Sequence, residues 1–167
     1  GAGNDSITVS LDGLTTSIDA GVDIGTGQQD SLMRSYAGEA TWNLDEVNGG
    51  QLDSVVFQNV ETLVGGADKD TVNVNAAFVG TVNTQAGNDA IVLSDANAVM
   101  DIDAGEDTGA DAQDSLTRSY AGQATWNIDQ ANGGDLANVE FRNVETLLGN
   151  NDVDIVNVSS AFSGFIN

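Results

Sequence analysis

An internal repeat is the feature that most constrains the fold of this chain. Residues 1–5 (GAGND) align with residues 85–89 (QAGND), and residues 30–46 align with residues 114–130, both at an offset of 84. In the second alignment 13 of 17 positions are identical, and the similarity continues to the end of the chain. Self-similarity at a fixed period is typical of repeat architectures. We therefore divide the chain into repeat 1, residues 1–84, and repeat 2, residues 85–167.

The two repeats could form one continuous structure or two independent globular domains. No linker-like stretch separates them, which favours the continuous structure. Asn167 aligns with Asn83, so a further repeat could follow at once. The partners that we expect are neighbouring copies of the same repeat, in a tandem array or a head-to-tail filament.

Short runs with strand character recur along the chain. Val72 and Val74 alternate with Asn73, which is the period of a half-buried strand. Clusters of Gly, Asn and Asp separate the runs, and no amphipathic segment of helix length occurs. The sequence therefore predicts an all-β fold. The predicted strands are residues 71–74, 90–93, 99–102, 125–128, 139–141 and 144–147.

The spacing of Asp-x-apolar triplets predicts how the strands stack. Asp70, Asp89, Asp114 and Asp154 follow one another at steps of 19, 25 and 40, which sum to the repeat length of 84. If the step of 40 holds two coils, each repeat has about four coils of a parallel β-solenoid (a β-roll or β-helix), stacked about 4.8 Å apart. The side chains predicted to point inward are Ile7, Tyr36, Trp42, Phe57, Val72, Val74, Ile91, Leu93, Ile102, Leu116, Trp126, Ile128, Phe141, Val144, Leu147, Val156 and Phe162.

Composition excludes several classes of function. The chain has 26 acidic and 4 basic residues, a formal charge of −22, and no His or Cys. It cannot build a histidine-based triad, a thiol nucleophile or a conventional zinc, haem or iron–sulfur site. The acidic surface repels nucleic acid, and no apolar run is long enough for a membrane span. Because the chain offers a metal only oxygen ligands, calcium is the metal ion that we expect it to bind. We also expect folding to depend on calcium.

One segment resembles a known calcium-binding motif. Residues 65–73 (GGADKDTVN) resemble the nonapeptide GGxGxDxUx of RTX repeats, with Asp68 in place of the third Gly. Residues 1–8, 85–92 and 149–157 are degraded matches. The wider block is similar to repeats of very large RTX-type bacterial surface proteins and adhesins. The resemblance implies an extracellular or cell-surface location and a Ca²⁺ cofactor, bound through Asp carboxylates and backbone carbonyls.

The resemblance also implies the metal ligands. Those in the turns are Asp5, Asp70, Asp89 and Asp154, with Asp68 and Asp152 as additional carboxylates. Those in longer loops are Asp19, Asp23, Asp30, Asp103, Asp107 and Asp114. Ordinary turn chemistry is the alternative for all of them, because Asp caps loops through its own backbone. Arg34 and Arg118 are expected to pair with an Asp or Glu, with Glu61 and Glu145 as candidate partners.

The expected function is a calcium-binding structural module that acts as a rigid extension or as a filament-forming, adhesive segment. The alternative is a polysaccharide-binding or polysaccharide-acting β-helix domain, such as a lyase. Trp42 and Trp126 could then stack on sugars, and a cell-surface glycan would be a partner. Each tryptophan lies beside Thr and Asn in a predicted strand, which favours core packing. Arg34, Tyr36 and Trp42 are duplicated with their surroundings, which favours a structural role over catalysis. Scattered threonines also disfavour an ice-binding face.

Overall fold

The structure is a computed structural model that describes residues 1–22, 29–106 and 113–167. The predicted ligands Asp23 and Asp107 lie outside the described residues. Across the described ranges the chain forms strands and turns without a helix, so the all-β prediction is confirmed. Accordingly, the described part contains no helix that could cross a membrane.

Each repeat contributes nine of the described strands. In repeat 1 they are β1 (Ser6–Val9), β2 (Thr16–Asp19), β3 (Ser31–Arg34), β4 (Ala40–Glu46), β5 (Gly49–Leu52), β6 (Val55–Gln58), β7 (Thr62–Val64), β8 (Asp70–Val74) and β9 (Val79–Asn83). In repeat 2 they are β10 (Ala90–Leu93), β11 (Val99–Asp103), β12 (Ser115–Arg118), β13 (Ala124–Gln130), β14 (Gly133–Leu136), β15 (Val139–Arg142), β16 (Thr146–Leu148), β17 (Asp154–Val158) and β18 (Phe165–Ile166).

The strands form two sheets of nine strands each. The first sheet has the order β1-β3-β7-β9-β11-β15-β14-β13-β17, and the second has the order β2-β6-β5-β4-β8-β10-β12-β16-β18. Both sheets run through both repeats, because β8 pairs with β10 and β9 pairs with β11. Equivalent strands lie in opposite sheets: β1 belongs to the first sheet and its equivalent, β10, to the second. One repeat therefore follows the other with the two sheets exchanged.

The prediction that all strands pair in parallel is wrong at one place in each repeat. Strands β4, β5 and β6 form an antiparallel meander, as do β13, β14 and β15, whereas the other strand pairs are parallel. Tight turns reverse the chain at Asn48 and Asp53, whose φ angles are 48° and 49°. The 40-residue step from Asp30 to Asp70 thus contains a meander instead of a second coil. Both sheets are mixed as a result.

One hydrophobic cluster combines inward side chains of both sheets. All of the predicted inward residues are buried except four. Ile7, Tyr36 and Phe162 pack against the cluster while partly exposed. The prediction that Val156 points into the core is wrong. This residue is 39% exposed, because β17 pairs with β13 on one side only. Its equivalent Val72 lies on β8, between β4 and β10, and is 1% exposed.

The tryptophans belong to this core. Trp42 packs edge-on against Phe57, and Trp126 packs in the same way against Phe141, with ring centroids 6.2 Å apart in both pairs. Both indoles are buried. The expectation of core packing is therefore confirmed, and neither ring is placed to stack on a sugar.

Candidate metal-binding loops

The loop that resembles the calcium-binding nonapeptide closes around the guanidinium group of Arg34. This side chain lies at the end of β3 and is fully buried. Its Nη2 lies 3.3 Å from Oδ2 of Asp70, and its Nε lies 3.3 Å from Oδ1. It also donates to the backbone carbonyl oxygens of Tyr36 (3.0 Å), Asp68 (3.4 Å) and Gly38. The positive charge that faces the oxygens of this loop is therefore a guanidinium.

The surroundings of Asp70 complete this site. Its Oδ2 accepts a hydrogen bond from the backbone N–H of Gly66 (2.8 Å), and its Oδ1 accepts one from Trp42 Nε1 (3.1 Å). A Cβ at Gly66 would lie 2.2 Å from Nη2 of Arg34, so glycine permits the close approach. Burial raises the pKa of the Asp70 carboxyl, while the Gly66 N–H and the charge of Arg34 oppose that rise. The ring of Tyr36 adds a cation–π contact, 5.1 Å from the Arg34 Cζ to its centroid.

Repeat 2 builds a similar site around Arg118. Nη2 of Arg118 donates to Oδ1 of Asp154 (2.7 Å), and Nη1 donates to the carbonyl oxygen of Tyr120 (2.8 Å). Asn150 stands where repeat 1 has Gly66, and its Oδ1 accepts a further hydrogen bond from Nη2 (2.7 Å). An amide oxygen thus joins the oxygens that hold the guanidinium.

The additional carboxylates of these two loops bind backbone N–H groups. Oδ2 of Asp68 accepts from the N–H of Gly38 (2.7 Å), and Oδ2 of Asp152 accepts from the N–H of Gly122 (2.8 Å). The Gly122 N–H, followed by the side chain of Asn150, lowers the pKa of the Asp152 carboxyl. Each carboxylate therefore joins its own loop to the turn that precedes the neighbouring strand of the sheet, which is β4 in repeat 1 and β13 in repeat 2.

The expected pairing of the arginines with Glu61 and Glu145 is wrong. The arginines pair with Asp70 and Asp154 because these acids begin the strands that follow the loops. Oε2 of Glu61 instead accepts the backbone N–H of Asp30, at 3.0 Å. Glu145 has the same role in repeat 2, accepting the N–H of Asp114 at 3.0 Å.

The two glutamates end a series of carboxylates that we call the carboxylate ladder. In the first sheet it comprises Asp5, Asp30 and Glu61, which precede β1, β3 and β7. In the second sheet it comprises Asp70, Asp89, Asp114 and Glu145, which begin or precede β8, β10, β12 and β16. Each Asp donates its backbone N–H to the carboxylate on the next strand of the sheet.

The five hydrogen bonds of the ladder are 2.6 to 3.0 Å long, and two of them are buried while three are partly buried. The N–H of Asp5 donates to Oδ1 of Asp30 at 2.6 Å. In the second sheet, the N–H of Asp70 donates to Oδ1 of Asp89, and the N–H of Asp89 donates to Oδ1 of Asp114, both at 2.7 Å. These carboxylates therefore accept the backbone N–H that begins the neighbouring strand, 19 or 25 residues away, and the bonds are not the local ones of ordinary turn chemistry.

Asp30 retains one oxygen that the ladder does not use. The residue is buried, and its Oδ2 accepts no hydrogen bond from the described residues. Asp5, its neighbour in the ladder, is half-exposed and lies 3.0 Å from the amino group of Gly1. A buried carboxylate oxygen without a donor is costly unless a proton or cation meets it.

The remaining predicted ligands, Asp19 and Asp103, lie at the ends of β2 and β11. Oδ1 of Asp19 accepts from Asn59 Nδ2 (2.8 Å) and from the Gly21 N–H (3.1 Å), and these bonds lower the pKa of its carboxyl. Asp103 accepts from Asn143 Nδ2 (2.8 Å) and pairs with Nη2 of Arg142 (2.9 Å).

In the ranges that the structure describes, no group of three or more acidic side chains converges as a metal site. Neither the ladder nor the burial of both arginines was predicted from the sequence. The spacing of the Asp-x-apolar triplets contained the signal for the ladder. The repetition of a rare basic residue at Arg34 and Arg118 contained the signal for the buried pairs. Comparisons of the chain with protein families, curated proteins and solved structures found no match.

Proposed function

We propose that this chain is a structural repeat module of a secreted or cell-surface protein. It acts as a rigid extension or as a filament-forming, adhesive segment, and its architecture is that of a β-solenoid interrupted by a meander in each repeat. The observation that carries the proposal is the junction between repeat 1 and repeat 2. That junction joins two equivalent units through both sheets at once.

The junction consists of ordinary strand pairing. Four residues of β8 pair with β10, from Thr71 with Ala90 to Val74 with Leu93. Five residues of β9 pair with β11, from Val79 with Val99 to Asn83 with Asp103. Parallel pairing at each boundary stacks repeats at about 4.8 Å per strand and leaves no hinge. Such a junction suits a stiff spacer.

Duplication supports a structural role over a single active site. Arg34, Tyr36 and Trp42 have equivalents in repeat 2 that make the same kinds of contact. The polysaccharide alternative relied on exposed aromatic rings, and both tryptophans are buried. No contact of the described residues favours that alternative.

We also propose that calcium binds the long loops around Asp19, Asp23 and Asp30, their equivalents Asp103, Asp107 and Asp114, and the turns of Asp5 and Asp89. The charge of −22 and the unsatisfied Oδ2 of Asp30 support a bound cation. We place no calcium in the loops of Asp70 and Asp154, since Arg34 and Arg118 already supply a positive charge there.

Small-angle X-ray scattering of a lengthened chain tests the structural role. Two copies of residues 1–167 are joined through one Thr, which restores the 84-residue spacing. Nine strands at about 4.8 Å predict that the maximum dimension grows by about 43 Å while the cross-section stays constant. A flexible chain of beads, with a broad distribution of distances, would contradict the proposal.

A further inference from the structure

A carboxylate closes one turn of repeat 1. Asp53 lies between β5 and β6, and its two carboxylate oxygens accept the hydroxyl of Tyr36 and the backbone N–H of Thr41 (2.8 Å). The N–H of Asp53 donates in return to the carbonyl oxygen of Thr41 (2.8 Å). Repeat 1 thus shows how this fold holds a carboxylate between a phenol and the N–H of a strand.

Repeat 2 keeps both hydrogen-bond donors and loses the acceptor. Tyr120 and Thr125 stand at the equivalent positions, but Ala137 replaces Asp53. The turn keeps its left-handed conformation, with a φ angle of 56° at Ala137 against 49° at Asp53. Burial raises the pKa of the Tyr120 hydroxyl, so this group remains a donor at neutral pH. A methyl group accepts no hydrogen bond, so both donors lack the partner that repeat 1 supplies.

A cavity of about 340 Å³ lies at this turn of repeat 2, and Tyr120, Thr125 and Ala137 all line it. Its volume is within the range of small-molecule sites. Ala124, also in the lining, is only partly buried, whereas its equivalent Ala40 is buried. None of the described residues that line the cavity is a proposed calcium ligand. The cavity is therefore distinct from the proposed calcium-binding loops.

The charge around the cavity differs between the repeats in the direction that favours an anion. Three acidic positions of repeat 1 are neutral in repeat 2, and the neutral residues all line the cavity. The positions are Asp12, Glu39 and Asp53 in repeat 1 and Ala96, Gln123 and Ala137 in repeat 2. One change has the opposite sign, because Asp135 in the lining replaces Gln51, and its Oδ1 accepts from Asn127 Nδ2 at 3.1 Å. These four positions thus carry three acids in repeat 1 and one in repeat 2, which lowers the repulsion of an anionic ligand.

We propose that this cavity binds the carboxylate of an organic acid, which takes the place of the carboxylate that Asp53 supplies in repeat 1. One oxygen of the ligand accepts the hydroxyl of Tyr120, and the other accepts the N–H of Thr125. Acetate has the same CH–carboxylate group as an aspartate side chain, and a sugar acid presents the same carboxylate on a ring. The inference goes beyond the proposed structural role, because it assigns to repeat 2 a ligand whose place is already filled in repeat 1.

Amide NMR spectroscopy of the whole chain, titrated with sodium acetate, tests the site. We expect a saturable shift of the Thr125 N–H resonance and none of the Thr41 N–H, which Asp53 already holds. Sodium chloride and acetamide are the controls for ionic strength and for charge, and neither should reproduce the shift. Sodium glucuronate distinguishes the two sources of the carboxylate: tighter binding than acetate identifies a sugar acid, and weaker binding identifies a small organic acid. A Thr125 resonance that responds to neither acid would overturn the inference.

Substitutions in the turn test which residues hold the ligand. Ala137→Asp fills the cavity with a carboxylate of the chain itself and should weaken acetate binding by about tenfold or more, through occupancy and like-charge repulsion. Ala131→Asp is the matched control, because Ala131 is also exposed but lies at the other end of β14. Tyr120→Phe removes one of the two donors and should weaken binding about fivefold. Circular dichroism verifies that the variants fold. Equal acetate affinities of the Ala137→Asp and Ala131→Asp chains would overturn the assignment of the site.

Discussion

The backbone N–H of Asp70 donates a 2.7 Å hydrogen bond to the carboxylate of Asp89 across the boundary between the two repeats. Both residues are buried, so water cannot replace the bond. Asp70, which pairs with Arg34 in repeat 1, is thus hydrogen-bonded to the first turn of repeat 2. The ladder and the arginine pair therefore act on the same junction.

Removing the Asp89 carboxylate tests the contribution of this hydrogen bond to stability. Asp89→Ala leaves the N–H of Asp70 buried without its acceptor, and we expect the free energy of unfolding to fall by about 1–3 kcal/mol. Asp89→Asn keeps an acceptor oxygen and should cost less. Urea unfolding measures the difference, with Asp45→Ala as the control, because exposed Asp45 accepts only from Asn75 among the described contacts. Equal effects of Asp89→Ala and Asp45→Ala would refute the role of the ladder.

The buried arginine pair predicts a larger effect. Arg34→Met leaves the Asp70 carboxylate buried without its counter-charge, and the free energy of unfolding should fall by about 3–5 kcal/mol. Arg34→Met combined with Asp70→Asn should recover part of that loss. Arg142→Met is the control: its pair with Asp103 is half-exposed and should contribute less than about 1 kcal/mol. A double variant as unstable as the sum of its single variants would contradict direct coupling.

A difference between the repeats predicts a stabilising substitution. Asp53 accepts the hydroxyl of Tyr36 and the N–H of Thr41 (2.8 Å), at a φ angle of 49°. Ala137 occupies the equivalent position in repeat 2 with a φ angle of 56°, which alanine tolerates poorly. Ala137→Asp should gain about 1 kcal/mol of stability through equivalent bonds, and Asp53→Ala should lose a similar amount. A destabilised Ala137→Asp chain would show that the two turns differ.

The Asp152 carboxyl predicts a pH-dependent contribution to stability. Its pKa lies below the ordinary value of 3.8 because of the Gly122 N–H and Asn150. A lowered folded-state pKa gives stability that is present above the unfolded-state value and is lost as pH falls through the folded-state value. The difference in stability between the wild type and Asp152→Asn should therefore shrink below about pH 4. A difference that is independent of pH would contradict this assignment.

Much of the fold was predictable because local patterns determine it. Alternation around Asn73 predicted β8, and the repeat predicted that equivalent strands recur. The meander was not predictable from that spacing, because reversal depends on left-handed turns at Asn48 and Asp53 instead of on strand periodicity. At the candidate site, the sequence identified Asp70 but could not show that Arg34, 36 residues earlier, occupies the loop. That contact depends on which strands become neighbours.

Thermal unfolding of the EDTA-treated chain, with and without millimolar calcium, tests the proposed calcium-binding structural module most directly. Calcium at about 100 times its dissociation constant adds about 2.7 kcal/mol per site, so the melting temperature should rise. The rise should be smaller in Asp30→Asn with Asp114→Asn than in the control Asp45→Asn with Asp129→Asn, which removes two exposed carboxylates. A melting temperature that calcium does not change, or that changes equally in both double variants, would contradict calcium binding at these loops.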